Sequence, residues 1–150
     1  MSFETLPDDE TRIERERWFS MSFTAAGPDR YAGPISTHAL LLEVDIRRAF
    51  VAGAWISTIT LAFAAIEAQF RQVFAGDYEN RAQLLFGENA DLNWLRNLRN
   101  SIVHAGQPGL PSPVWGSSPG DLLGTHANLE ANARRAVAIM FRENYGRRPA

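Results

Sequence analysis

The sequence predicts an all-α fold, an up-and-down bundle of four to five helices with a partly irregular N-terminal arm. Three observations predict it. Apolar residues recur three and four positions apart from about 38 to 75, 92 to 104 and 129 to 141, the spacing of one helical face. Capping residues precede these runs and glycines follow them. No β-hairpin signal and no internal repeat is present.

The bulk figures agree with a single globular unit. A chain of 150 residues fits one domain with a real core, and 45% hydrophobic with 21% charged residues is ordinary for such a domain. A net charge of −2 gives no sign of broad electrostatic capture of nucleic acid. Every basic residue is arginine, the better fork for phosphate. With no cysteine there is no disulfide framework and no thiolate metal site. The start, MSFETLPDDE, is acidic and lacks the apolar region of a secretory signal, so the expected compartment is the cytoplasm.

The arm is expected over residues 1–35. Pro7-Asp8-Asp9-Glu10 reads as a helix start with acidic residues in the first turn, and a short helix runs through ETRIERERWF. SFTAAGPDRYAGPIS, with two glycines and two prolines, reads as loop or extended chain. Trp18, Phe19 and Tyr31 are expected to pack on the main body, residues 36–150.

Ser36 or Thr37 caps the next helix, with Leu40, Leu41, Val44, Ile46 and Phe50 as its apolar positions. The helical run continues to about 75, and Gly53 marks a bend or a close helix contact within it. From Ala49 to Ile66 no residue is charged, and Arg47 and Arg48 flank the stretch, features shared with a membrane span. Its pattern favours a core helix instead. Trp55, Ile59, Phe63, Ile66 and Phe70 share one side, and Ser57, Thr58 and Thr60 the other. No membrane association is therefore expected. Ala64, Ala65 and Ala68 form a small-residue strip that lets another helix approach. Gly76-Asp77 ends the run.

A short helix follows at about Glu79 to Phe86. Asp91 opens the next, which Gly106 and Pro108 close. Residues 107–124, QPGLPSPVWGSSPGDLLG, form a long Gly/Pro/Ser-rich loop. Loops of that length tend to be functional or mobile, and Trp115 within it either stacks a base or packs on the body. Thr125 caps a last amphipathic helix whose core face is Leu129, Ala133, Ala136, Val137, Met140 and Phe141, ended by Gly146. Arg134-Arg135 and Arg147-Arg148 read as solvated charges on its faces and end.

The chemistry concentrates in RNLRNSIVHAG, residues 96–106. On a helix at about 100° per residue, Leu92, Trp94, Leu95, Leu98, Ile102 and Val103 share one broad arc. Asn93, Arg96, Asn97, Asn100, Ser101 and His104 fall opposite. Arg99 lands inside the apolar arc. There it snorkels outward, meets a carboxylate or faces another chain. Glu67, at the edge of the central apolar stripe, is the carboxylate within reach; its alternative is a surface pair with Arg71. His104 closes the helix, where the macrodipole favours a cation; it is either a C-terminal cap or a proton-transfer group with Asn100 one turn before it. His38, His104 and His126 are scattered, so no metal site is expected.

Arg99-Asn100-Ser101-Ile102-Val103-His104, at the end of a helix in a small all-α chain, resembles the HEPN family. That family's signature is an arginine, four to six residues, then a histidine, often with asparagine after the arginine. The resemblance covers roughly residues 38–145. Some members place a tyrosine two residues after the histidine, where this chain has Gly106.

The resemblance implies a metal-independent endoribonuclease without cofactor. It implies a homodimer in which two motif helices meet at one composite cleft, and single-stranded RNA as substrate. It also implies a toxin or defence role, with a nucleotidyltransferase-type antitoxin among the partners. Arg99 and His104 would be the catalytic residues, with Asn100, Glu67 and Arg96 supporting them. The same resemblance admits a non-catalytic nucleotide-binding or protein-interaction module. Arg99 and His104 lie about 140° apart on an ideal helix, so two helices related by a dyad would supply one site more easily than a single helix.

Overall fold

The computed structural model describes residues 6–104 and 119–146, with the side chains of the second stretch from residue 126 onward. Six α-helices make up the bundle among the described residues, five of them 14 residues or longer. They are α1 (Asp9–Ala25), α2 (Thr37–Ala52), α3 (Trp55–Phe74), α4 (Tyr78–Glu88), α5 (Ala90–Val103) and α6 (Pro119–Tyr145). No strand occurs among the described residues.

The arm is more helical than its composition suggests. The Asp8 carboxylate accepts from the Thr11 amide at 2.8 Å, capping α1 as the acidic start predicts. The helix then runs past Phe19 to Ala25 instead of giving way to loop, because no breaker precedes Gly27, which adopts φ 71°. Phe23 sustains the extra turns by packing edge-on against Phe141 and Tyr145. Trp18 stacks on Phe50 at 5.0 Å and Phe19 is buried, as expected. The Tyr31 hydroxyl donates to the Pro34 carbonyl and accepts from Gln69, fixing the segment before α2 to the end of α3.

Ser36 caps α2, its hydroxyl accepting from the Ala39 amide. The expected continuous run does not form. Gly53 takes φ 79°, its amide and that of Ala54 close the last turn of α2, and α3 starts at Trp55. The two helices therefore fold into an αα-hairpin, with the Ser36 amide donating to Gln69 across from it. This break also splits the uncharged stretch, and no helix among the described residues is long and apolar enough to cross a membrane.

α3 lies at the centre. Ile59, Ala62, Ala65 and Ile66 are fully buried, together with Ile46 and Phe50 of α2 and Ala133, Ala136, Val137 and Met140 of α6. Burying one such large side chain contributes roughly 1.5–3 kcal/mol, so this layer outweighs any surface pair. Thr58 is also buried and donates to the Ala54 carbonyl, so the polar side expected of α3 is narrower than its composition suggests. The alanine strip does admit a close neighbour: Asn144 of α6 donates to the Ala65 carbonyl at 3.3 Å. α3 ends at Phe74, and a short 3₁₀ turn, Ala75–Asp77, leads into α4.

α6 begins at Pro119, six positions before the expected cap at Thr125, so helix occupies part of the predicted loop. Proline suits a first helical turn because its missing N–H has no partner to lose there. Residues 107–118, with Trp115, lie outside the described residues, as do Arg147 and Arg148. Arg134 and Arg135 are not simple solvated charges. Arg134 pairs with Glu14 of α1 at 3.1 Å and lies over Trp18, while Arg135 pairs with Asp91 and stacks on Trp94 at 3.9 Å. Each ties α6 to a neighbouring helix through an aromatic face.

Candidate active site

α5 carries the site. Asn89 caps it, its side-chain oxygen accepting from the amides of Asp91 and Leu92. Leu92 and Leu95 are fully buried, and Trp94, Leu98 and Ile102 pack partly against the core. This apolar contact fixes the rotation of the helix about its axis, and hence where Arg99 and His104 point.

Arg99 reaches α3. Its Nη2 lies 3.8 Å from Glu67 Oε1, and its guanidinium carbon sits 4.4 Å from the centre of the Phe63 ring. Its side chain is 24% exposed, and its Nε–H is buried without a hydrogen-bond partner. The carboxylate is thus the partner that Arg99 meets, and the Glu67–Arg71 surface pair is not made. Glu67 is shared: its other oxygen accepts from the Tyr78 hydroxyl at 3.2 Å. Burial first, then the neighbouring Glu67 carboxylate, pushes the Tyr78 hydroxyl above its ordinary titration range. The Tyr78 ring in turn carries the Arg71 guanidinium at 4.0 Å.

His104 is the residue that closes α5, with φ −114° and ψ 38°. Its amide donates to the Asn100 carbonyl at 2.8 Å, and its side chain is exposed. The described residues offer the imidazole no hydrogen-bond partner, and none engages the Asn100 carboxamide. Arg96 donates to Asn93 at 3.0 Å and leans toward Phe86 of α4.

The fold therefore brings Arg99 and Glu67 together, leaves His104 exposed and Asn100 half-buried, and turns Arg96 toward α4. Within one chain no ion pair or hydrogen bond joins Arg99 to His104; five positions apart, they are offset by about 7.5 Å along the axis and about 140° around it. Phe63 and Tyr78 belong to the site and carry no sequence signal. Phe63 reads only as core, and Tyr78 meets Glu67 across the α3–α4 turn. Among the described residues no group of His, Asp and Glu side chains gathers as a metal ion would require. His126 lies apart, its ring 6.0 Å from Trp55.

No protein-family model matches the chain, and no curated protein and no solved structure matches it.

Proposed function

We propose that the chain is a metal-independent endoribonuclease of the HEPN type, working in a toxin or defence system as a homodimer with one composite Arg/His site. The observation that carries this reading is the posture of the motif on α5. Arg99 sits over the Phe63 ring within reach of Glu67, and His104 stands exposed at the helix end. A second α5 across a dyad would bring the guanidinium of one copy toward the imidazole of the other.

The substrate is single-stranded RNA in the cytoplasm. A ribose 2′-oxygen attacks the adjacent phosphorus, the bond to the 5′-oxygen breaks, and a 2′,3′-cyclic phosphate and a 5′-hydroxyl result. One His104 takes the 2′-OH proton and its dyad mate gives a proton to the leaving oxygen, so the proton count balances. Arg99 holds the scissile phosphate and its developing charge. Glu67 orients Arg99, Asn100 positions His104 or the sugar, and Arg96 supplies positive potential to a neighbouring phosphate. The nucleophile is the substrate's own hydroxyl, so this chemistry calls for no metal or cofactor. A nucleotidyltransferase-type protein is the antitoxin class expected as partner.

The test is cleavage of a single-stranded RNA by the purified chain in EDTA, with its mass in solution measured alongside. A dimer leaving cyclic phosphate ends is expected, with a 2′-deoxy linkage left intact. Arg99→Ala and His104→Ala should each lower the rate by about 10²- to 10⁴-fold without loss of helicity. Undiminished cleavage by His104→Ala would remove the assigned chemistry. A second reading, a non-catalytic nucleotide-binding or protein-interaction module, draws on how far Arg99 is covered by Phe63 and Glu67. In that case Arg99→Ala lowers stability and neither Arg99→Ala nor His104→Ala changes what happens to RNA.

A further inference from the structure

We propose that Arg71, laid across the Tyr78 ring beside the Glu67–Arg99 pair, is a second anion subsite that holds an RNA backbone phosphate next to the one at Arg99. This rests on the ribonuclease reading above. Glu67 and Arg71 stand four residues apart on α3, where an acid followed by a base ordinarily pairs. Here the carboxylate is committed elsewhere, with Oε1 toward Arg99 and Oε2 accepting from Tyr78. Arg71 is exposed, makes no ion pair among the described residues, and rests its guanidinium 4.0 Å from the Tyr78 ring centre.

The ring supports the Arg71 guanidinium from one side, and no carboxylate among the described residues takes its N–H groups. An arginine held in this way loses less freedom when it meets a phosphate, whose oxygens match the fork. One helical turn, about 6 Å along α3, separates position 71 from Glu67, a distance comparable to one nucleotide step of an extended strand. Of the neighbouring cations, Arg81 is paired with Asp77 at 3.0 Å, and Arg96, on α5, donates to the neutral Asn93 at 3.0 Å and leans toward Phe86. In a chain of net charge −2, attraction for RNA has to be local, and Arg71 is a charge on the α3 side of the site that makes no ion pair among the described residues.

The experiment measures binding of a fluorescent 2′-O-methyl single-stranded RNA, which 2′-oxygen attack cannot cleave, across a salt series. Arg71→Gln, Tyr78→Phe and Tyr78→Leu are compared with the unaltered chain, and cleavage of ordinary RNA is followed in parallel. Arg71→Gln should weaken binding about five- to tenfold and reduce the slope of log affinity against log salt by about 0.7, the single-strand value for one phosphate contact. Tyr78→Phe keeps the ring under Arg71 and should hold a steeper salt slope than Arg71→Gln, whatever the lost hydroxyl contact to Glu67 does to cleavage. Tyr78→Leu removes the ring and should approach Arg71→Gln. Unchanged affinity and slope in Arg71→Gln, with RNA still bound and cut, would reduce Arg71 to a cation at a helix C-terminus and leave the nuclease reading standing. Binding without cleavage would sink the nuclease reading alone, with the salt slope still deciding the subsite. An unaltered chain that neither binds nor cuts RNA overturns both.

Discussion

A guanidinium on an apolar helix face needs a carboxylate to meet and a surface to lie against, and Arg99 has Glu67 and Phe63. Both partners of the pair are partly solvated, so its contribution to stability is modest, about 1 kcal/mol. Glu67→Gln keeps the shape, removes the charge and should lower stability by that amount in urea unfolding; no change at all would mean that Phe63 alone positions Arg99. Glu43 presents the opposite balance. Burial lifts its carboxyl above the ordinary 4.5, although the Tyr145 hydroxyl donates to it at 2.7 Å and offsets part of the rise. The folded state therefore binds this proton more tightly than the unfolded one. The contribution of Glu43 is full below pH 4.5 and falls as pH rises through the folded value. Glu43→Gln still accepts from Tyr145 and should be more stable than the unaltered chain at pH 7, with the gap closing at pH 4. A gap independent of pH would contradict the linkage. The two acids differ in how far the sequence discloses them. Glu67 interrupts an apolar stripe, so its need for a partner is legible from the residues beside it. Glu43 meets Tyr145 from 102 residues away, and no local pattern encodes that contact.

At the scale of elements, periodicity locates helices well and their ends poorly. The apolar stripes of α2 and α3 run on through Gly53, so hydropathy alone reads one long helix with a bend. What turns the chain back is a backbone conformation, φ 79°, that only glycine adopts without strain. A Cβ there would also meet Arg15 Nη1 at 3.0 Å, and Arg15 is the side chain that donates to the Val51 carbonyl to hold this turn against α1. Gly53→Ala should therefore destabilise by roughly 1–3 kcal/mol, seen as a lower melting temperature. The turn after α3 has the reverse defect. Ala75 sits at φ 44° and ψ −119°, territory where a Cβ is strained. It is exposed, so nothing is lost by removing its methyl group. Ala75→Gly should raise stability, by up to about 1 kcal/mol once the greater freedom of the unfolded glycine is deducted. If Ala75→Gly melts lower than the unaltered chain, the turn is not strained as its angles imply. In the sequence, Gly76 stands one place beyond the strained position, which is why the end of the helix was legible to within two residues and its geometry was not.

For the whole molecule, the question is what fixes the six described helices in one arrangement when α5 meets α6 only sparsely. The answer lies in arginines that bridge helices while lying on aromatic rings. Arg134 joins α6 to Glu14 and Trp18 of α1, and Arg135 joins α6 to Asp91 and Trp94 of α5. Sequence reading finds these arginines and assigns them to solvent, because a charge on a helix surface looks the same whether or not another helix passes beside it. Asp91 is the tightest of these junctions. It accepts from Arg142 at 2.8 Å and from Arg135 at 3.1 Å, and those two hydrogen bonds, Arg142 foremost, hold its carboxyl below the ordinary 3.8. With the folded value depressed, the unfolded chain takes up this proton first. The stabilisation is present above pH 3.8 and is lost as pH falls through the folded value. Asp91 is over a third exposed, so solvent screening limits the effect to about 1 kcal/mol. Asp91→Asn should therefore unfold at lower urea concentration than the unaltered chain at pH 7, with the difference narrowing below pH 3.8 until the two denature together. Because the junction sets how α5 rests on α6, the same substitution should loosen amide-exchange protection along α5 before it affects α2 or α3. Uniform loss of protection across all helices would mean that α5 is held by its leucines alone and that the arginine bridge contributes nothing to its placement.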